Sequence, residues 1–277
     1  MRAKIFPGLI LPALIVLASG CAAPTPAPTA TPSQPAPSPT LTATALPVVP
    51  AGPITLQFIG HDCTLIVAPD GTRIISDPYK DRPSGLAAFP TGLSADVVTV
   101  SHFHPDHDNI TAISGVNGKP KALLDAGITL AGMVKITGLK GDHGLVNGKS
   151  SGDNTVFVFE IGNVKIVHLG AAGVVTQSDI LAVMENADVV VMDAMGDEAH
   201  PLKDELDQLV GLKVRTIIPT HYSFEDNPSY YGSVTLAEFL QVVPATLAVV
   251  KQGSKLEVKA GMPEQVMVLA PAANENP

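Results

Sequence analysis

The sequence predicts an α/β protein in which two β-sheets are sandwiched between helices, an αββα four-layer plan. Three observations point there. Short β-rich runs separated by turn signals fill the stretch from Ile54 to Ser101, a second strand pair begins near Thr155, and strands alternate with helical patterns from Gln177 onward.

The first meander comprises 54–59, 64–68, 73–76 and 97–101, with Pro69-Asp70-Gly71 as one of its turns. The second comprises 155–160 and 164–169, turning at Gly162-Asn163. Strands at 188–192 and 214–219 then alternate with helices at 177–186, 203–210 and 235–242, whose apolar residues recur every three or four positions. Closing strands are expected at 248–251, 255–259 and 265–269, and 271–277 reads as a frayed tail. No tandem repeat of fixed period is present.

With 277 residues and 45% hydrophobic content the chain can bury a substantial core, but its start does not belong to that core. Arg2 and Lys4 precede an apolar run, 5–17, too short to span a bilayer and suited to a secretory leader. The run ends in Leu17-Ala18-Ser19-Gly20-Cys21, which resembles a bacterial lipobox. Residues 1–20 are thus expected to be a lipoprotein signal peptide and Cys21 the lipidated first mature residue, anchoring the protein at the bacterial envelope outside the cytoplasm. Residues 21–53 form an uncharged Pro/Thr/Ala-rich linker that cannot order itself and acts as an extended spacer. The folded domain is then 54–270.

Formal charge is −9, and loss of Arg2 and Lys4 takes it to about −11. With no basic cluster to track phosphates, nucleic acid is not an expected partner. Once Cys21 is lipidated, Cys63 is the sole thiol and no intramolecular disulfide can form; a small core residue is its simplest role.

The chemistry lies in His102-Phe103-His104-Pro105-Asp106-His107. In an extended segment, residues two apart point the same way, so His102 and His104 can offer two imidazoles to one ion. Pro105 biases His104 toward extended geometry. A helix capped by Asp108 or Asn109 is expected next, sending Asp106 and His107 to the other side of the loop and creating a second metal position.

The run Val100-Ser101-His102-x-His104-x-Asp106-His107 resembles the first metal motif of the metallo-β-lactamase superfamily. The likeness extends to its branch of ascorbate-6-phosphate lactonase-like proteins and N-acylphosphatidylethanolamine-hydrolysing phospholipase D. Gly60-His61-Asp62-Cys63 is similar to that branch's Gly-His-Ser-Cys opening and Ser76-Asp77-Pro78 to its Asp-Pro turn. Asn154-Thr155-Val156-Phe157, His168-Leu169-Gly170 and Ile218-Pro219-Thr220-His221-Tyr222 follow in family order.

The resemblance implies a single metallo-β-lactamase-type domain with zinc as cofactor. It implies that His143 joins His102 and His104 at one metal, and that His221 joins Asp106 and His107 at another. His61 and Asp77 would sit behind the ligands, with Asp77 orienting a metal-bound imidazole through its ring N–H. His168 fits a buried, hydrogen-bonded histidine better than a ligand.

One departure weighs heavily. The family's His-x-Gly-Asp motif supplies a carboxylate that bridges both metals, and here the run is His168-Leu169-Gly170-Ala171. Three imidazoles still leave an open position for water at the first site, which suffices for hydrolysis. At the second site one protein carboxylate does little to offset repulsion between two dications, so weak or absent occupancy is expected. Asp193, Asp197, Glu198 and His200 offer a conceivable rescue from a nearby loop.

Two functions follow. The first is a zinc-dependent hydrolase of an ester, lactone, amide or phosphodiester in a small or lipid-derived substrate, with one well-held metal and Asp106 orienting or deprotonating the water. The second is a non-catalytic, surface-displayed metal- or ligand-binding module. A redox iron protein fits less well, because diiron relatives typically carry a carboxylate where His104 stands and use the missing bridge.

Overall fold

The computed structural model describes residues 52–82, 85–147, 149–224 and 234–275. Cys21, the leader and the spacer through Ala51 lie outside these residues.

The principal strands are β1 Ile54–Gly60, β2 Cys63–Val67, β3 Arg73–Ser76, β4 Val97–Thr99, β5 Lys121–Leu123, β6 Gly127–Ala131 and β7 Val134–Asp142. They continue with β8 Asp153–Ile161, β9 Val164–His168, β10 Val189–Asp193, β11 Thr216–Thr220, β12 Ala248–Gln252, β13 Lys255–Val258 and β14 Gln265–Leu269. The helices are α1 Ser178–Met184, α2 Leu202–Gly211, α3 Leu236–Val242 and α4 Ala272–Glu275. One sheet runs β13-β1-β2-β3-β4-β5 and the other β12-β14-β11-β10-β9-β8-β7-β6.

The alternation of side chains along each strand divides the apolar residues between two faces. Leu56, Phe58, Ile66 and Ile74 of the first sheet meet Ile136, Phe159, Ile166, Val191 and Ile218 of the second in the central core. On the outer face of the second sheet, Val156, Val158, Val190 and Ile217 pack under Ile180, Leu206 and Phe239 of the helices. The outer face of the first sheet, with Ile59, Cys63, Leu65 and Val98, is covered by Tyr79, Leu86, Ile113 and Ala273. Its cover is therefore loop and one short helix, a thinner layer than the helices opposite. Among the described residues no helix is long and apolar enough to cross a membrane.

Strand direction gathers the site at one edge. β3 and β4 are parallel, as are β9, β10 and β11. Ligand-bearing loops in such sheets sit beyond the carboxyl ends of the strands. Asp77 and the 101–107 loop follow β3 and β4, while His168, Asp193 and His221 end or follow β9, β10 and β11.

Three parts differ from the sequence expectation. Strands β5 to β7 occupy a stretch in which the sequence pattern announces no strand, although Val134 and Ile136 are buried on either side of exposed Lys135. The helix expected after Asp108 is a single 3-10 turn, Ile110–Ala112, and Asn109 instead donates from Nδ2 to Tyr79 O at 3.0 Å. The tail expected to fray contains α4, where Asn274 donates to Gly85 O at 3.0 Å and accepts from Ala87 N at 2.7 Å.

Glu205 on α2 is buried at 5% exposure, and burial followed by the charges of Asp193 and Asp197 pushes its carboxyl well above the usual range. A raised folded pKa means stability is fully present below the unfolded value and lost as pH rises toward the folded one. Glu205→Gln removes that loss. Denaturant unfolding should show the variant gaining about 1 kcal/mol or more at pH 8 relative to its effect near pH 4.5; an equal effect at both pH values contradicts this account of Glu205.

Candidate metal centre

Asp77 organises the site. It occupies a left-handed conformation at φ 46° just past β3, a backbone state that a non-glycine residue holds only when its surroundings enforce it. Its Oδ1 accepts from Ser101 N at 2.7 Å, and its Oδ2 accepts from Ser101 Oγ at 2.6 Å and faces His107 Nδ1 at 3.3 Å. Ser101 Oγ in turn lies 2.9 Å from His102 Nδ1 and accepts from it. One carboxylate thereby fixes the rings of His102 and His107, leaving the Nε2 of each to face the cavity. Burial works to raise the Asp77 carboxyl, but the hydrogen bond and charge of His107 outweigh it and hold it below the usual carboxylate range.

His102, His104 and His143 come together as one donor set. Ring centroids are 4.6 Å apart for His102–His104, 4.6 Å for His102–His143 and 5.2 Å for His104–His143. His143 reaches this place as the first residue beyond the nine-residue β7, its N donating to Gly152 O at 2.8 Å. Burial, and then neighbouring histidines, push His102 and His143 below the usual histidine value. Three imidazoles gathered in one set, with no carboxylate among the described residues in it, suit a divalent cation. His104 is exposed, so this side opens to solvent.

Asp106, His107 and His221 form the second set, and His61 joins them. Nε2 atoms of His61, His221 and His107 lie 2.9, 3.4 and 3.5 Å from Asp106 Oδ2. Burial alone would raise the Asp106 carboxyl, yet hydrogen bonds from His221 and His61 hold it far below the usual range. Held among three imidazoles, Asp106 is placed to act as a ligand of this set. Burial lowers His221, but Asp193 and Asp106 more than offset this and raise it to about 9. Asp193 Oδ1 stands 3.8 Å from His221 Nδ1, behind the ring.

A cavity of about 350 Å³ is lined by residues of both sets together with Ala171 and Met195. Ala171 thus presents a methyl group to the cavity that the two sets share. Its loop is tightly held: Asn154 Oδ1 accepts from Ala171 N at 3.2 Å, and His200 Nε2 lies 3.2 Å from Ala171 O. Gly170 sits at φ 55°, and a Cβ there would meet Ser101 Cβ at 2.4 Å, so only glycine lets this loop approach the histidine loop. His168 is buried outside both sets; its Nε2 donates to Asp62 O at 3.1 Å and its Nδ1 accepts from Gly170 N at 3.2 Å. Of the acidic loop considered as a rescue, Asp193 backs His221 and Asp197 holds His200 Nδ1 at 2.7 Å; none of its four residues enters either donor set.

Asp62 was missed by sequence reasoning. It is buried, accepts from Thr220 Oγ1 at 2.5 Å, lies 3.6 Å from His107 Nδ1, and is pushed by burial up to about 6. Its signal was available, since it stands where the similar Gly-His-Ser-Cys motif has serine.

Sheets, site and motif together define a metallo-β-lactamase-fold protein with a histidine-rich metal centre. The β-lactamase superfamily domain family matches residues 55–221, and the chain belongs to that superfamily. The chain is 28% identical over 192 residues to a UPF0173 metal-dependent hydrolase of Thermococcus onnurineus, covering 61% of this chain and 85% of the relative. A second such relative, from Pyrococcus abyssi, is 25% identical over 232 residues, covering 74% of this chain and all of its own length. Among solved structures, a Thermotoga maritima protein described as a Zn-dependent hydrolase of the metallo-β-lactamase superfamily superposes with a TM-score of 0.60 at 25% identity, over 78% of this chain and 98% of the other.

Asp77→Asn keeps a residue that tolerates the left-handed backbone but removes the charge facing His107 and Ser101. Chelator competition should show metal affinity falling about 10- to 100-fold; unchanged affinity would remove Asp77 from its organising role.

Proposed function

We propose that the protein is a zinc-dependent hydrolase of an ester, lactone, amide or phosphodiester bond, working at His102, His104 and His143. The observation that carries this reading is a three-imidazole set without a carboxylate among the described residues, open to solvent at His104, in a cavity shared with a second donor set. A divalent ion held by three imidazoles keeps an open position, acidifies water there toward neutrality and polarises the bond under attack. The hydrolase names of the relatives at 25–28% identity support the same reading.

The chain's own residues supply orientation. Ser101 fixes His102, Asp77 fixes His107, and Gly170 brings Ala171 against the histidine loop. Phe103, 64% exposed between two of the ligands, offers an apolar contact at the rim for a small or lipid-derived substrate. This suits the branch of lactonase-like and phospholipase D-like proteins that the Gly60–Cys63 opening resembles. Lipidation at Cys21 would hold the domain to a bacterial membrane outside the cytoplasm, with 22–53 as its tether; replacing Cys21 by Ser should release the protein from membranes, and retention would contradict the anchor.

A second reading, a non-catalytic binding module, draws on Ala171, which leaves no carboxylate from its loop at the cavity. The two separate cleanly. Zinc-loaded protein should hydrolyse at least one member of a panel of lactones, esters, anilides and phosphodiesters, with chelation abolishing turnover and zinc restoring it. His104→Ala, at an exposed position, should cost at least about 100-fold in kcat/KM while leaving the melting temperature of the metal-free protein unchanged. Zinc binding without any turnover favours the module, and no zinc binding overturns the hydrolase.

A further inference from the structure

We propose that His61 is a fourth protein ligand at the second metal position, so that Asp106, His107, His221 and His61 hold an ion without a carboxylate from the 168–171 loop. This extends the metal-dependent reading above and rests on it. The sequence resemblance alone implies three donors and weak occupancy at this position. The structure brings a fourth, and all four are buried, at 3% exposure or less.

His61 is placed by a tight turn between β1 and β2. Their register shifts between Phe58 and Gly60, and His61 itself is held at φ 55°. His221 N donates to His61 O at 2.8 Å, and the two rings lie 3.9 Å apart, so the turn and the end of β11 are clasped together. His221 is also in the left-handed region, at φ 59°. Strained non-glycine backbone at two adjoining donors marks a constellation that the surrounding fold enforces.

The charges are arranged to suit. Behind the donors, Asp77 and Asp62 face His107 Nδ1 at 3.3 and 3.6 Å, and Asp193 faces His221 Nδ1 at 3.8 Å. Carboxylates behind metal-bound imidazoles fix the ring and raise its basicity. With Asp106, four buried carboxylates surround this position. The repulsion that a second dication would meet is therefore offset from behind the ligands instead of from between the metals.

Three nitrogens and one oxygen with no open position describe a closed, four-coordinate site, whereas His102, His104 and His143 describe an open one. The two positions would then divide their work: a closed ion that stabilises the loop junction and an open ion that meets substrate.

The competing role for His61 is a hydrogen-bond donor to Asp106, and glutamine separates the two because its amide still donates but does not replace an imidazole ligand. Metal-free full-length protein would be titrated with zinc and with cobalt(II), reading metal content and the cobalt absorption spectrum. Wild type should bind two equivalents. His61→Gln should keep the first and weaken the second at least about 100-fold. His104→Ala should retain one equivalent whose four-coordinate cobalt spectrum is unmoved by added azide or thiocyanate, as a site with no water to displace requires, and it carries the test should His61→Gln fail to fold. Two equivalents of unchanged affinity in His61→Gln, or a cobalt spectrum in His104→Ala that shifts when the anion binds, overturn the proposal. A wild type that hydrolyses substrate with one equivalent overturns this inference alone; a wild type that binds none overturns the hydrolase reading as well.

Discussion

A buried carboxylate at the end of a strand governs the metal centre. Asp77 cannot be hydrated where it lies, at 1% exposure, so it must be satisfied by the chain. Ser101 meets that need through both its backbone N–H and its hydroxyl, and His107 through its ring. The consequence is that the histidine loop has little freedom. Its two ends are set by one anion, and each donor set receives one ring whose tautomer is already chosen.

From that constraint the asymmetry of the two sets follows. Buried His102 and exposed His104 follow the end of β4 and meet His143, just beyond β7, forming a trio without an anion. Residues 106 and 107 turn inward, where they meet the ends of β1 and β11 and a group of carboxylates. Ala171 accentuates the difference, since its loop is held as firmly as a ligand loop by Asn154, His168 and His200 yet presents a methyl group. Were an ion to sit at the inner set, Asp62, Asp77 and Asp193 lie where they can offset its charge without a carboxylate from the Ala171 loop.

Much of this was legible in the sequence for identifiable reasons. The runs from Ile54 to Ser76 and from Thr155 to His168 announce strands because short stretches of β-branched and aromatic residues between turn signals suit sheets buried on both faces. The six-residue motif announces metal donors because so many imidazoles in so short a run suit few other purposes. His143 was harder to place, since β7 reads as a strand only through Val134 and Ile136, while Gly138 and Gly141 break the apolar alternation. His61, Asp62 and His200 were the hardest: contact between the β1–β2 turn, the end of β11 and the loop after β10 is a product of sheet order, which local pattern does not encode.

The histidine motif and the loops that meet it gather donors at two places in one cavity. Anomalous diffraction from crystals of the zinc-loaded protein, measured on both sides of the zinc absorption edge, reads that arrangement without reference to activity. One peak is expected within bonding distance of His102, His104 and His143, and another within bonding distance of Asp106, His107 and His221. Fully loaded crystals lacking a peak at either set would contradict it.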